Sequence, residues 1–191
     1  AVPATDDAPA ARPAPLTPED VVLRESIGQV AVAPGGELVA WIMTTADLDA
    51  NEFRRVLFVR RLADTAAVRL TEKGHSPAAP AFSPEGARLA WLDHEKEAKP
   101  QIHLSDLRGG LPRVLTSVSN GVSFFAWRSP GEIVFAARED STLHELRLAK
   151  KKEDAVVVAD QEHMPPVRLF SLDVASKEAV SYTHLTLPTN R

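Results

Sequence analysis

Short apolar runs recur through the middle of the chain, each set behind a turn. Leu38-Val39-Ala40-Trp41 follows Ala33-Pro34-Gly35-Gly36, Leu89-Ala90-Trp91-Leu92 follows Ser83-Pro84-Glu85-Gly86, and Ile133-Val134-Phe135 follows Ser129-Pro130-Gly131. Continuous runs this short, bounded by turn residues, suit strands covered on both faces rather than strands with one wet side. In the second turn proline fixes φ at the second position and Gly86 closes the fourth, which predicts type I. Gly35 stands third in the first turn, which predicts type II. A second strand is predicted after a polar gap in each case, at Val56-Leu57-Phe58-Val59, Gln101-Ile102-His103-Leu104 and Leu143-His144-Glu145-Leu146. Arg69-Leu70-Thr71 and Val114-Leu115-Thr116 then end the first two units as further strands.

These units repeat with a measurable period. Matching Val32, Phe82 and Trp127 gives steps of 50 and 45 residues, and Gly36, Gly86 and Gly131 repeat the same steps. Leu70-Thr71 and Leu115-Thr116 are also 45 residues apart. Several short strands per unit of this length, with no unit able to bury its own faces, is the signature of a β-propeller blade. The third unit has a shorter turn and an insertion over 149–166, before Val167-Arg168-Leu169-Phe170 resumes a strand. The extra length of the first unit is placed in the polar stretch 44–52. The expected class is all-β: a partial β-propeller of about three to three and a half blades of four-stranded antiparallel sheet. A short N-terminal helix precedes it, with Thr17 as cap, Pro18 at the first position and Asp20 at the third.

The two ends differ from this middle. Residues 1–15 hold four prolines and no apolar periodicity, the composition of an extended linker. Such a leader is what remains once a secretory signal is removed, which points to a periplasmic or secreted protein, and it equally fits a reading frame entered part-way. Residues 180–191, VSYTHLTLPTNR, back-translate from Val180 to Thr189 into a sequencing-library adapter read in frame, and are set apart as foreign sequence. The expected organisation is thus a linker over 1–15, an incomplete propeller over 16–179 and a non-native tail over 180–191. Closed propellers need typically 4–8 blades, so an arc of this length is expected to leave open sheet edges.

Composition removes several classes of function. With 22 Lys+Arg against 26 Asp+Glu and a net charge of −4, there is no basic surplus to bind nucleic acid. The absence of Cys excludes disulfide scaffolds, thiolate metal sites and Cys nucleophiles. No apolar run approaches the roughly 18 residues that cross a bilayer, so no membrane partner is expected. No G-x-S-x-G occurs, and no catalytic residue is assigned. His75, His94, His103, His144 and His163 fall at different repeat positions and His184 lies in the tail, without H-E-x-x-H or H-x-H spacing. Neither a metal site nor a cofactor is therefore expected. Trp41, Trp91 and Trp127 recur with the units and read as core packing.

Leu16-Thr17-Pro18-Glu19-Asp20, the Ser83-Pro84-Glu85-Gly86 type of turn and Met164-Pro165-Pro166-Val167-Arg168-Leu169-Phe170 together resemble the N-terminal propeller of the prolyl oligopeptidase family. The acylaminoacyl-peptidase and dipeptidyl-peptidase branch is the nearest, and the resemblance covers about 16–179. It implies a propeller that restricts access to a C-terminal α/β-hydrolase domain carrying a Ser-His-Asp triad, with short peptides and that hydrolase domain as partners. In related dipeptidyl peptidases, acidic residues on propeller insertions hold the substrate amine. Asp160 and Glu162 sit in such an insertion, although a solvated loop behind Lys150-Lys151-Lys152 is the simpler account, and no binding residue is assigned. The turn repeat also resembles TolB-type propellers, which leaves a non-catalytic propeller that binds partner proteins as the alternative.

Overall fold

The computed structural model describes residues 16–139 and 166–181. After helix α1 (Pro18–Val22) come β1 (Ser26–Val32), β2 (Leu38–Asp47), β3 (Glu52–Arg61) and β4 (Val68–Arg69), which pair in sequence order as one four-stranded sheet. The second sheet is β5 (Ala78–Phe82), β6 (Leu89–Asp93), β7 (Gln101–Ser105) and β8 (Arg113–Val114). The third is β9 (Val122–Ser129), β10 (Glu132–Arg138), β11 (Val167–Asp173) and β12 (Ala179–Ser181). All three are antiparallel meanders whose first strands touch in turn, β1 with β5 and β5 with β9. The chain is all-β with one short helix, as the repeat predicts. That helix starts with a full capping box, in which the Thr17 hydroxyl accepts from the Asp20 N–H and the Asp20 carboxylate accepts from the Thr17 N–H. Among the described residues no helix is long and apolar enough to cross a membrane.

Register explains the repeat. Val32 pairs with Val39, Phe82 with Leu89 and Trp127 with Ile133, so the matched positions are one junction in three sheets and the third loop is a residue shorter. The first turn corrects the type II expectation: positive φ falls on Gly36 (+71°), not Gly35, just as it falls on Gly86 (+72°) in the second turn. Each of these glycines donates its N–H to the carbonyl three residues back, at 2.8 Å, so both turns have one geometry. The Leu-Thr marker also has a structural cause. Thr71 and Thr116 Oγ1 accept from the Leu57 and Ile102 N–H groups, both at 2.9 Å, at the place where the outer strand leaves the ladder. The buried hydroxyl takes over from a backbone carbonyl and leaves no donor unpaired.

One further expectation is corrected. The third position of the last sheet is filled by β11, pairing along the length of β10, and not by Leu143–Leu146, which lies outside the described residues. Trp127 stands at the place of Val32 and Phe82, where the repeat matching puts it, and register puts Phe135 at the place of Trp41 and Trp91. Val180 and Ser181, at the start of the segment set apart as foreign, lie in β12 and pair with Ser171 and Phe170 of β11.

The sheets stack face to face. Ala40, Ile42, Leu57 and Val59 of the first sheet pack on Leu89 and Trp91 of the second. The opposite face of the second sheet, Ala90, Leu92, Ile102 and Leu104, packs on Phe125, Ile133, Phe135 and Leu172 of the third. Only β6 of the middle sheet is buried at every position, whereas β10 alternates. A strand is dry on both faces only where a sheet lies on either side, so one apolar run pattern has two burial outcomes. The third sheet is also tied to the second by polar links. Trp127 Nε1 donates to the Ala81 carbonyl at 3.1 Å, and the Arg88 guanidinium donates to the Pro130 carbonyl at 3.1 Å.

Candidate functional site

Asp93 closes β6 after four apolar residues and is only 2% exposed. A carboxylate in that position must collect donors, because burying it unpaired is costly. Its Oδ1 accepts from the Ser76 N–H at 3.0 Å and its Oδ2 from the Trp91 indole N–H at 3.2 Å. Trp91 can reach it because the two residues stand two apart on one face of the strand. His75 is delivered by a bridge to Glu95, which brings its Nδ1 within 3.2 Å of Asp93 Oδ2. That approach is within ion-pair distance, yet the buried Nδ1 makes no hydrogen bond. His103 on β7 stands opposite Trp91 in the ladder. Its ring centroid lies 5.8 Å from that of Trp91 and 6.3 Å, edge-on, from that of His75.

These groups line a cleft of about 550 Å³ between the first and second sheets, bounded also by Arg69, Lys73 and Leu111. A neighbouring cleft of about 440 Å³ shares His75 and adds Phe53, Arg55 and His94. The site is therefore a buried carboxylate flanked by two imidazoles and an indole, at a seam between sheets. Among the described residues neither His75 nor His103 hydrogen-bonds to a serine hydroxyl, so this is not a Ser-His-Asp arrangement. Among the described residues no group of three or more His, Cys, Asp or Glu is placed to hold a metal ion.

Burial holds the pKa of His103 below its ordinary 6.5, and the neighbouring His75 lowers it further against the opposing pull of Asp93. The folded protein thus favours the neutral ring, and the unfolded chain takes up the proton first as pH falls. Stability contributed by the neutral ring is complete above about pH 6.5 and is lost progressively below it. Urea midpoints measured from pH 8 to pH 5 should fall on the acid side, and His103→Phe should flatten that part of the profile. An unchanged slope in the variant would remove His103 as its source.

The structure brings together two of the histidines that sequence spacing keeps apart. His94 follows β6 directly, with Nδ1 3.0 Å from the Glu95 carbonyl. His144, His163, His184, Asp160 and Glu162 lie outside the described residues. Trp91 is buried as expected, whereas Trp41 and Trp127 are only partly covered. Sequence reasoning missed the site, yet one signal was present: Asp93 ending an apolar run that is read as dry on both faces needs partners.

Three antiparallel four-stranded meanders stacked about their first strands define consecutive blades of a β-propeller. Two solved structures share this arrangement. The AtxE2 isopeptidase matches with a TM-score of 0.67 and 16% identity, covering 89% of this chain and 32% of its own. The β-propeller domain of the Trilobed protease from Pyrococcus furiosus matches with a TM-score of 0.57 and 17% identity, covering 84% of this chain and 44% of that chain. Among curated proteins, the uncharacterized peptidase YuxL of Bacillus subtilis (strain 168) is 23% identical over 119 residues, which is 62% of this chain and 18% of that protein. No family model matches the sequence. The chain thus resembles the propellers of peptidases and spans less than a fifth of the length of the curated relatives it matches.

Proposed function

We propose that these blades belong to the substrate-admitting propeller of a serine peptidase that acts on short peptides, with the chemistry in an α/β-hydrolase domain of a longer protein. The observation that carries this reading is the structural match, in which this chain aligns with less than half of a protease's propeller domain. A ring of blades narrows the approach to a catalytic domain, so its physical role is to exclude long or folded chains by size.

The test starts from the full coding sequence beyond Ala179. It should continue into further blades and then a G-x-S-x-G segment followed by Asp and His. The expressed protein should cleave short peptide substrates and lose that activity when the motif serine is replaced by alanine. Deleting residues 16–179 from it should relax the size limit, so that substrates too long for the intact enzyme are cut. A continuation that ends without a hydrolase domain would overturn the peptidase reading in favour of a binding propeller.

A further inference from the structure

The cleft of about 440 Å³ beside the Asp93 site lies at the seam between the first and second sheets, and its charge is unlike that of the chain. The protein as a whole is acidic, at −4, yet this lining holds five Lys and Arg against one carboxylate, Glu52. Pairing accounts for only part of the excess. Arg54 pairs with Asp47, and Lys96 Nζ lies 3.8 Å from Glu52. Arg69 Nε donates to the Thr71 carbonyl at 2.7 Å, a bond that leaves its charge without a carboxylate. Arg55 and Lys73 make no ion pair or side-chain hydrogen bond among the described residues.

Blade stacking does not require these cations. The seam between the second and third sheets is the same contact one unit later, and the Leu-Thr marker with its ladder pairings gives each position an equivalent. Arg55, Arg69, Lys73 and His75 correspond to Pro100, Val114, Val118 and Asn120, none of them charged. Val118 packs against the apolar core there, and Asn120 donates to the Glu139 carbonyl at 2.6 Å. Gathering like charges costs free energy unless an opposite charge answers them. The cations of the first seam therefore serve something other than packing.

The rest of the lining narrows the ligand. Phe53, 70% exposed, stands two residues before Arg55 on β3, so the ring and the guanidinium leave the strand on one side, that of Leu57. Arg54 Nε and His75 Nδ1, on two lining residues, are buried without a hydrogen-bond partner, and Arg54 Nε can only donate. The cleft thus calls for negative charge, oxygen acceptors and an apolar body. Its volume falls among small-molecule sites, roughly 300–1,000 Å³. We propose that it binds a small organic dianion, with carboxylate or phosphate oxygens held by Arg55, Arg69 and Lys73 and the apolar part lying on Phe53. Asp93 does not compete for these cations, because its two oxygens already accept from the Ser76 and Trp91 N–H groups. The proposal is independent of the peptidase reading and stands or falls on binding alone.

Calorimetric titration of the 191-residue chain at constant ionic strength, with phenyl phosphate and phthalate as probes, tests both oxyanion chemistries. At least one should bind saturably with a dissociation constant below about 1 mM, and the tighter of the two identifies the group the cleft prefers. Inorganic phosphate, which lacks the ring, should bind more weakly than phenyl phosphate. Lys73→Val, which installs the residue of the next seam, and Arg55→Gln should each weaken binding about tenfold or more, the effect of losing one charge-assisted hydrogen bond. Both positions are exposed, and thermal melts check that the folds are intact. Arg108→Gln removes the same charge at an exposed loop residue outside the lining and should leave the affinity unchanged. No saturable binding of either ring-bearing anion, or inorganic phosphate bound as tightly as phenyl phosphate, would overturn the proposal. Unchanged affinity in folded Lys73→Val or Arg55→Gln, or an equal loss in Arg108→Gln, would overturn it as well.

Discussion

Phe135→Ala should lower the free energy of unfolding by about 3–5 kcal/mol, the range for removing a fully buried aromatic from a core. The ring is 2% exposed and stacks on Phe170 at 5.1 Å with the planes 16° apart. It also fills the seam between the second and third sheets beside Leu104, Ile133 and Leu172. Alanine leaves a cavity that two hydrogen-bonded sheets cannot close without breaking register. With a urea m-value of about 1–3 kcal/mol/M, the midpoint should move down by a molar unit or more. Phe124→Ala is the internal control, since that ring lies on the uncovered face of the same sheet and is 61% exposed. It should change the monomer's stability by about 0.5 kcal/mol or less. Equal losses at the two positions would contradict the assignment of faces.

The second large effect is expected at Asp93. Replacing it with alanine strands the Trp91 indole N–H inside the seam, where a buried donor without a partner costs about 1–3 kcal/mol, while the Ser76 N–H keeps its bond to the His94 carbonyl at 2.9 Å. A loss of about 1–3 kcal/mol should appear in urea unfolding, with a change in tryptophan emission as the indole environment alters. Asp93→Asn keeps one acceptor oxygen and should lose about half as much. The alanine variant also removes the carboxylate that favours protonated His103, so its stability should fall more steeply in acid than that of the parent. If Asp93→Ala unfolded at the parental midpoint, the buried carboxylate would have no structural role.

Much of the architecture is legible along the chain because it is written locally. The turn before each central strand is set by Pro34 and Gly36 or by Pro84 and Gly86, residues whose own φ preferences make the bend. The Leu-Thr marker is visible because one side-chain hydroxyl does the same ladder-ending task in two blades. The type of the first turn is less legible, since adjacent glycines at 35 and 36 can each adopt positive φ and only the closing hairpin selects Gly36. The third sheet is less legible still. A strand-like Leu143–Leu146 stands nearer in sequence than Val167–Asp173, and pairing with β10 is decided by matching register and burial rather than by proximity.

The candidate site has the opposite character. His75 and His103 lie 28 positions apart with no motif spacing between them, and they meet because β6 and β7 pair with Trp91 opposite His103 while a bridge draws His75 to Glu95. Sequence by itself determined the blade repeat, its four-stranded unit, the helix cap and the absence of a nucleophile motif, because propensity, turn chemistry and period act over a few neighbouring residues. The tertiary structure alone decided which face of each sheet is dry, which histidines surround Asp93, and that Trp41 lacks the acceptor Trp91 has. Those outcomes depend on strand register and on which sheet stacks against which, and a one-residue slip in pairing would turn every side chain to the other face.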